Sequence, residues 1–347
     1  MDGVAPSRVT EWLPEANGTA DTDTTVGVFN SMNDPEFNSA DLPGNGFSCF
    51  SVTAVLDAAE ELIRENGVSL FGDQEQFRSE VAARALQRER AAAGFAVAAQ
   101  DVYSIVFGNL VTVETEPDSI AADGNVTTGA IRTTPIAIDR DWFAEHFLVA
   151  LRPHGVRHEV STLLEDLFSD AARARKSIEL FVSLAGDARR GIGMRDAGAV
   201  AATMNRYRDE FDAWMHDRLS IPCKTAHPFS GRVCGVAAQL PAGALGWKPP
   251  GAGACESLIV VAGDRAARDR IIGHLRGLAW KAVPARLTDG LTVARGKDGW
   301  TISAGHRIDI VGASDLGMDR RIGCPGMCVA AAVAPRVSRL LTIPRGA

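Results

Sequence analysis

The chain has 347 residues, 46% of them hydrophobic and 23% charged, with a formal net charge of −7. That balance is globular, long enough for two lobes, and argues against a nucleic-acid or membrane-surface partner, both of which call for basic faces. No stretch approaches eighteen uninterrupted apolar residues, and the start, "MDGVAPSRVTEW", lacks a basic segment followed by an apolar run, so neither a membrane span nor a signal peptide is expected and a cytoplasmic location is.

In chain order, residues 1–45 are rich in Asp, Asn, Thr, Ser and Gly and read as loop, with one apolar patch at Val26–Phe29 suited to a strand. Val52, Val55, Leu56, Ala59, Leu62 and Ile63 recur at helical spacing and predict a helix over 51–66; a second is predicted over 75–93. Strand-like runs follow near 105–115 and 146–152, then a long helical pattern from Glu159 to about Met215. "GALGWKPPGAGACESLIVVAGD" changes to a glycine loop and a strand, and "DRAARDRIIGHLRGLAW" is helical. "GLTVARGKDGWTIS" predicts a hairpin turning at Gly296–Gly299, His306–Val311 a strand, and Gly326–Ala334 a helix. Helices and strands alternate without a regular βαβ repeat, which favours an α+β fold. The six cysteines, at 49, 223, 234, 255, 324 and 328, form no CxxC pair and are expected as reduced thiols.

The stretch "ADLPGNGFSCFSVTAVLDAAEELIREN" puts Pro43, Gly44, Asn45 and Gly46 directly before a helix. A helix N-terminus offers unpaired N–H donors and a partial positive charge, and small residues let an anion approach them. Ser48 and Ser51 add hydroxyls. A turn using glycine for positive φ, with a serine cap, explains the same residues, and no GK[ST] of a P-loop is present.

This stretch resembles the second motif of the GHMP kinases (galactokinase, homoserine kinase, mevalonate kinase, phosphomevalonate kinase), with the family's serine cluster reduced to "SCFS". "GWKPPGAGACES" resembles the third motif through Gly251, Ala252 and Gly253, with Cys255 and Glu256 in place of later glycines. "FAVAAQDVYSIVFGNLVTVE" is similar to the GxQDxY segment of the heptose-phosphate kinase and fucokinase branch. The first motif, an N-terminal "RIxLxGxxTD" strand in the family, is matched instead by "AGHRIDIVGASDLG" near the C-terminus. The segment after it, "GCPGMCVAAAVAPRVSRLLTIP", resembles the "GGAVLxxAI" helix and next strand. The order is therefore motif 2, motif 3, motif 1, which implies a circular permutation with the family's old ends joined around 285–303; chance similarity at the C-terminus is the alternative.

The resemblance implies a two-lobed fold. Residues 1–150 and 300–347 form an ATP-binding lobe like ribosomal protein S5, and 151–299 a ferredoxin-like lobe. It implies ATP and Mg²⁺ as cofactors and transfer of a γ-phosphoryl group to a hydroxyl of a small molecule, with a sugar or sugar phosphate favoured by the branch. Pro43, Gly44, Asn45, Gly46, Ser48, Cys49 and Ser51 would cradle the triphosphate, and Glu89 with Ser51 would hold the metal. Asp101 would be the base and Arg307 would stabilise transferred charge; Ser314, Asp315, Gly251, Gly253 and His158 would line the substrate. Taken on their own, Glu89 is more often a solvated helix residue, and Arg307 and His158 are equally a surface strand residue and a helix-start histidine. A homodimer is compatible with this reading. A non-catalytic nucleotide- or sugar-binding descendant, a kinase for a homoserine- or mevalonate-type alcohol, and an ATP-dependent decarboxylase of the same fold are the alternatives.

Overall fold

The computed structural model describes residues 26–30, 49–66, 74–93, 98–117, 119, 126–127, 129–152, 169–219, 230–251, 256–295, 299–314 and 322–341. Pro43, Gly44, Asn45, Gly46, Ser48, His158, Gly253 and Asp315 lie outside the described residues, as does the side chain of Cys49.

Six strands build one antiparallel sheet: β1 (Val26–Asn30), β2 (Leu110–Thr115), β3 (Ile131–Pro135), β8 (Thr292–Arg295), β9 (Trp300–Ala313) and β10 (Gly326–Leu341). Their order is β3-β2-β10-β9-β8, with β1 also on β10. β10 is the spine. One of its edges pairs along β9; the other takes β2 opposite Gly326–Ala331 and β1 opposite Val337–Leu341. A second antiparallel sheet has the order β5-β6-β4-β7, from β4 (Phe147–Leu151), β5 (Ala244–Lys248), β6 (Ser257–Ala262) and β7 (Lys281–Pro284). Helices lie over the faces of these antiparallel sheets, as expected of an α+β protein.

Helices α1 (Cys49–Asn66), α2 (Gln74–Ala93) and α3 (Ala99–Phe107) cover one side of the larger sheet. Val52, Val55, Leu56, Ala59, Leu62 and Ile63, the predicted apolar stripe of α1, are all buried, against α2 residues such as Val81 and Leu86 and strand residues such as Val111 and Ile302. Two helices, α5 (Ala171–Gly193) and α6 (Ala197–Leu219), fill the space between the sheets, packing Phe181, Leu184 and Met204 with Val149 and Ile259 on one side and Ile308 and Val329 on the other. Helix α4 (Arg140–His146) precedes β4, and α7 (Ser230–Ala237) and α8 (Arg265–Gly277) cover the far face of the smaller sheet.

Four elements depart from expectation. Gly326–Ala334 is strand, not helix. Its alanine-rich run lies at the centre of a sheet covered on both faces, so no in–out alternation marks it, and small side chains let α3 and α5 pack closely on it. Residues 105–107 end α3 rather than begin a strand; Ile105 and Val106 are β-branched but fully buried in a helix. The long helical pattern breaks at Met194–Asp196, where the Asp196 carboxylate caps α6 by accepting from the Ala199 N–H at 2.9 Å. Strand β5, read as glycine loop, pairs with β6. The hairpin at 292–303 forms with Arg295 opposite Trp300.

Gly108 ends α3 at φ 78, ψ −179, a conformation essentially confined to glycine, and lies against Asp289 and Gly290 at the entry to β8. A Cβ here would stand 1.8 Å from the Gly290 nitrogen, whereas one on Gly129, also at φ +78, would meet nothing within 4 Å. Gly108→Ala should therefore cost about 3 kcal/mol or more, and Gly129→Ala about 1 kcal/mol. Urea unfolding of the two variants measures both; equal losses would show that the close approach at Gly290 is absent.

Candidate active site

Strand β9 carries its charges inside. Arg307 is 4% exposed and Asp309 4%, within a stretch, 304–313, that is buried throughout and apolar but for these two and His306. Two residues apart on a strand, they project from the same face, opposite to Ile308 and Ile310. The Arg307 guanidinium is ion-paired on both sides: Nη2 donates to Asp101 Oδ1, and Nη1 meets Asp309 Oδ2. Asp101 stands in the first turn of α3, where a carboxylate complements the helix dipole. A guanidinium out of water requires such partners, since an uncompensated buried charge is strongly unfavourable.

Around this triad the described residues form a polar shell. Lys248, 2% exposed at the end of β5, reaches between the sheets to donate from Nζ to the Asp309 carbonyl at 3.0 Å, with its ammonium 5.6 Å from the centre of the Tyr207 ring. Gly251, in the turn after β5, has φ +55, and a Cβ there would lie 4.0 Å from Arg307 Nη1. Ser314, at the end of β9, is fully buried; its hydroxyl donates to Gln100 Oε1 and its carbonyl accepts from Thr115 Oγ1 at 2.7 Å. Gln100 in turn accepts from Ser104 Oγ at its carbonyl, 2.6 Å away. Gln100, next to Asp101, is thus tied to the residue just past the end of Arg307's strand by a separate bond. Tyr103 on α3 is a phenol, not a base: burial pushes its ionisation well above the ordinary range.

A second group lies on α1 and α2, which pack against α3. Ser51, in the first turn of α1 and 2% exposed, donates from Oγ to Glu89 Oε1 at 3.0 Å. The first turn of α1 contains no acidic residue, so its positive end is not neutralised from within.

Of the residues singled out from sequence, the structure brings together Asp101, Arg307 and Gly251 at one point and Ser51 with Glu89 at another. Ser314 stands behind the first group through Gln100. Arg307 is a buried strand residue, which removes the alternative of a surface position. Sequence reasoning missed Asp309, Lys248 and Gln100. The signal for the first was present: two opposite charges at i and i+2 inside "RIDIVGA" lie on one face of a strand too apolar to be exposed. Lys248 ends a strand that had been read as a loop, which hid its direction.

No protein-family model matches the chain, and no curated protein does. Among solved structures, a mevalonate kinase of L. major in complex with R-mevalonate superposes with a TM-score of 0.44 and 14% identity, over 73% of this chain and 81% of that one. A second mevalonate kinase gives 0.43 and 11%, over 77% and 90%. At these values the likeness carries no conclusion about the chemistry of this chain. Among the described residues no helix is long and apolar enough to cross a membrane, and no group of three or more His, Cys, Asp or Glu is placed to hold a metal ion.

Arg307→Met would leave Asp101 and Asp309 facing each other across an apolar side chain. A loss of about 3–5 kcal/mol is expected, read as a lower urea midpoint at unchanged slope. A loss under about 1 kcal/mol would show that the three groups are hydrated rather than buried together.

Proposed function

We propose that this chain is an ATP-dependent kinase of the GHMP type, with its first motif moved to the C-terminus, that phosphorylates a hydroxyl of a small molecule. The observation that carries this reading is the Asp101–Arg307 ion pair with Gly251 beside it. Three stretches singled out for one chemistry, around Asp101, Gly251 and Arg307, meet at one point although 150 and 206 positions separate the first from the other two. In the lobe division this implies, residues 1–150 and 300–347 hold nucleotide and 151–299 form the second lobe; at the borders, β4 at 147–151 is a strand of the smaller sheet and β8 at 292–295 a strand of the larger.

In this reading Asp101 accepts the proton of the acceptor hydroxyl as its oxygen bonds to the γ-phosphorus, while the bond from that phosphorus to the β-bridging oxygen breaks and ADP leaves. Arg307 orients Asp101 and offers positive charge to the transferring group. The start of α1, with Ser51, presents backbone N–H groups and a hydroxyl to phosphate oxygens. Glu89 and Ser51 supply a carboxylate and a hydroxyl oxygen 3.0 Å apart, a donor set that fits Mg²⁺, which takes one or two protein oxygens and completes its shell with water and phosphate. The ion, when bound, neutralises charge on the phosphates. A sugar or sugar phosphate is the first acceptor to try, with homoserine- and mevalonate-type alcohols beside it; Ser314 and the residues following it, Asp315 among them, would face that acceptor, with Gly253 and His158 contributing to its lining. A homodimer is compatible with these roles.

The test is ADP release from Mg-ATP across a panel of sugars, sugar phosphates and small alcohols. Turnover with at least one is expected, and Asp101→Ala should lower kcat at least 100-fold. ATP binding without turnover on any acceptor would favour a binding protein descended from the kinase fold. Glu89→Gln separately should raise the Mg²⁺ concentration needed for half-maximal rate about tenfold, while Arg64→Gln, a surface change on α1, should not. A Glu89→Gln enzyme with unaltered Mg²⁺ dependence would remove Glu89 from the metal site.

A further inference from the structure

The two carboxylates on Arg307 are not equivalent. The Asp101 side chain is 17% exposed and stands on a helix end; that of Asp309 is 6% exposed and fixed on the same strand as the arginine. They engage different nitrogens, Asp101 by a hydrogen bond from Nη2 and Asp309 by an ion pair at Nη1, so either contact can break without the other. Asp309 is held further by Lys248, whose buried ammonium donates to its carbonyl. Two carboxylates, one guanidinium and one ammonium balance in charge, in a place where replacing ion pairs by apolar packing commonly costs nothing in stability. Among the described residues Asp309 Oδ1, Arg307 Nε and Arg307 Nη1 have no hydrogen-bond partner, so Nη1 meets Asp309 through charge alone and the set is not optimised for satisfied bonds.

We propose that Asp309 is a positioning residue for phosphoryl transfer: it keeps Arg307 seated through Nη1 while Asp101 leaves Nη2 to take the acceptor proton. This rests on the kinase reading above. Without the Asp309 charge, Asp101 is the sole carboxylate on Arg307. A guanidinium and a single carboxylate settle into a two-bond fork, which withholds Asp101 from the acceptor. Lys248 serves the same end from the other sheet, fixing the backbone of Asp309 and leading into the turn that sets Gly251 against Nη1.

The experiment compares Asp309→Asn, Arg307→Lys and the double variant with the unaltered enzyme, using Mg-ATP and whichever acceptor the panel identifies. Asp309→Asn keeps the shape and removes the charge. Its kcat is expected to fall about 10- to 100-fold with KM for ATP and acceptor within threefold, because misplacing the base by an ångström costs on the order of 100-fold. In the Arg307→Lys background, where one ammonium cannot serve two carboxylates separately, the same change should cost less than threefold more. A kcat within twofold of the unaltered enzyme, or losses that simply multiply in the double variant, would overturn the proposal. If Asp309→Asn does not fold by circular dichroism, Asp309→Glu takes its place: the charge stays, the extra methylene displaces the guanidinium, and a loss of at least tenfold is expected, wild-type kcat overturning the proposal. Absence of turnover by the unaltered enzyme on every acceptor overturns the kinase reading and this proposal together, whereas turnover indifferent to Asp309 overturns this proposal alone.

Discussion

Placing a guanidinium in the middle of a buried strand sets terms for the surrounding structure. Arg307 keeps its charge at any ordinary pH, and its side chain is only 5% exposed, so carboxylates must be brought to it. One is available from its own strand at the i+2 position. The other comes from α3, which fixes where that helix must begin and which of its residues faces inward. The Gln100–Ser314 bond, one residue before Asp101 and just past the end of β9, secures the same docking by a second route. A helix start, a strand end and the turn at Gly251 thus converge on a buried charge, and the convergence puts the Asp101 carboxylate at the edge of the buried region rather than inside it.

The spine of the larger sheet makes this possible. β10 pairs on one edge with β9 and on the other with strands from near the beginning and from the first third of the chain. Its alanine-rich centre accepts helices on both faces, while Arg339, near its end, reaches α1 with ion pairs to Asp57 and Glu60. Arg336, beside a register shift, donates to the carbonyls of Asp289, Gly290 and Ser303 and to Thr292 Oγ1, replacing ladder bonds lost at the irregularity. Burial lowers the Arg336 ionisation from its ordinary value, but four oxygen partners keep the cation satisfied.

What the sequence disclosed follows how local each signal is. The apolar stripe of α1, the helix α8 and the pairing of 292–295 with 300–303 rest on residues close together in the chain, and each forms where the pattern put it. The identity of β10 as a strand was hidden because a sheet centre covered on both faces erases the two-residue alternation, leaving an alanine run that reads as helix. The meeting of Ser51 with Glu89, and of Asp101 with Arg307, was legible through motif resemblance rather than periodicity. Asp309 and Lys248 fell outside those motif roles, although charged residues in apolar strands are themselves a sign of buried pairing. Local pattern reveals which residues are inside; it does not reveal which of them touch.

The same distinction governs when the site can exist. The Arg307–Asp101 pair joins residues 206 positions apart, and the Ser314–Gln100 bond spans 214. Helices α1 to α3 form early in the chain, yet the strands they cover, β9 and β10, are nearly the last to be made. Until those strands arrive the helices have one another and the short strands β2 and β3 to pack against, and Asp101 lacks Arg307. Contacts of such separation carry a large loop-closure cost before they return anything, so the triad belongs to the late stages of folding. The triad therefore requires α3 and β9 to be in place together, and a chain in which β9 is not docked has no cation beside Asp101.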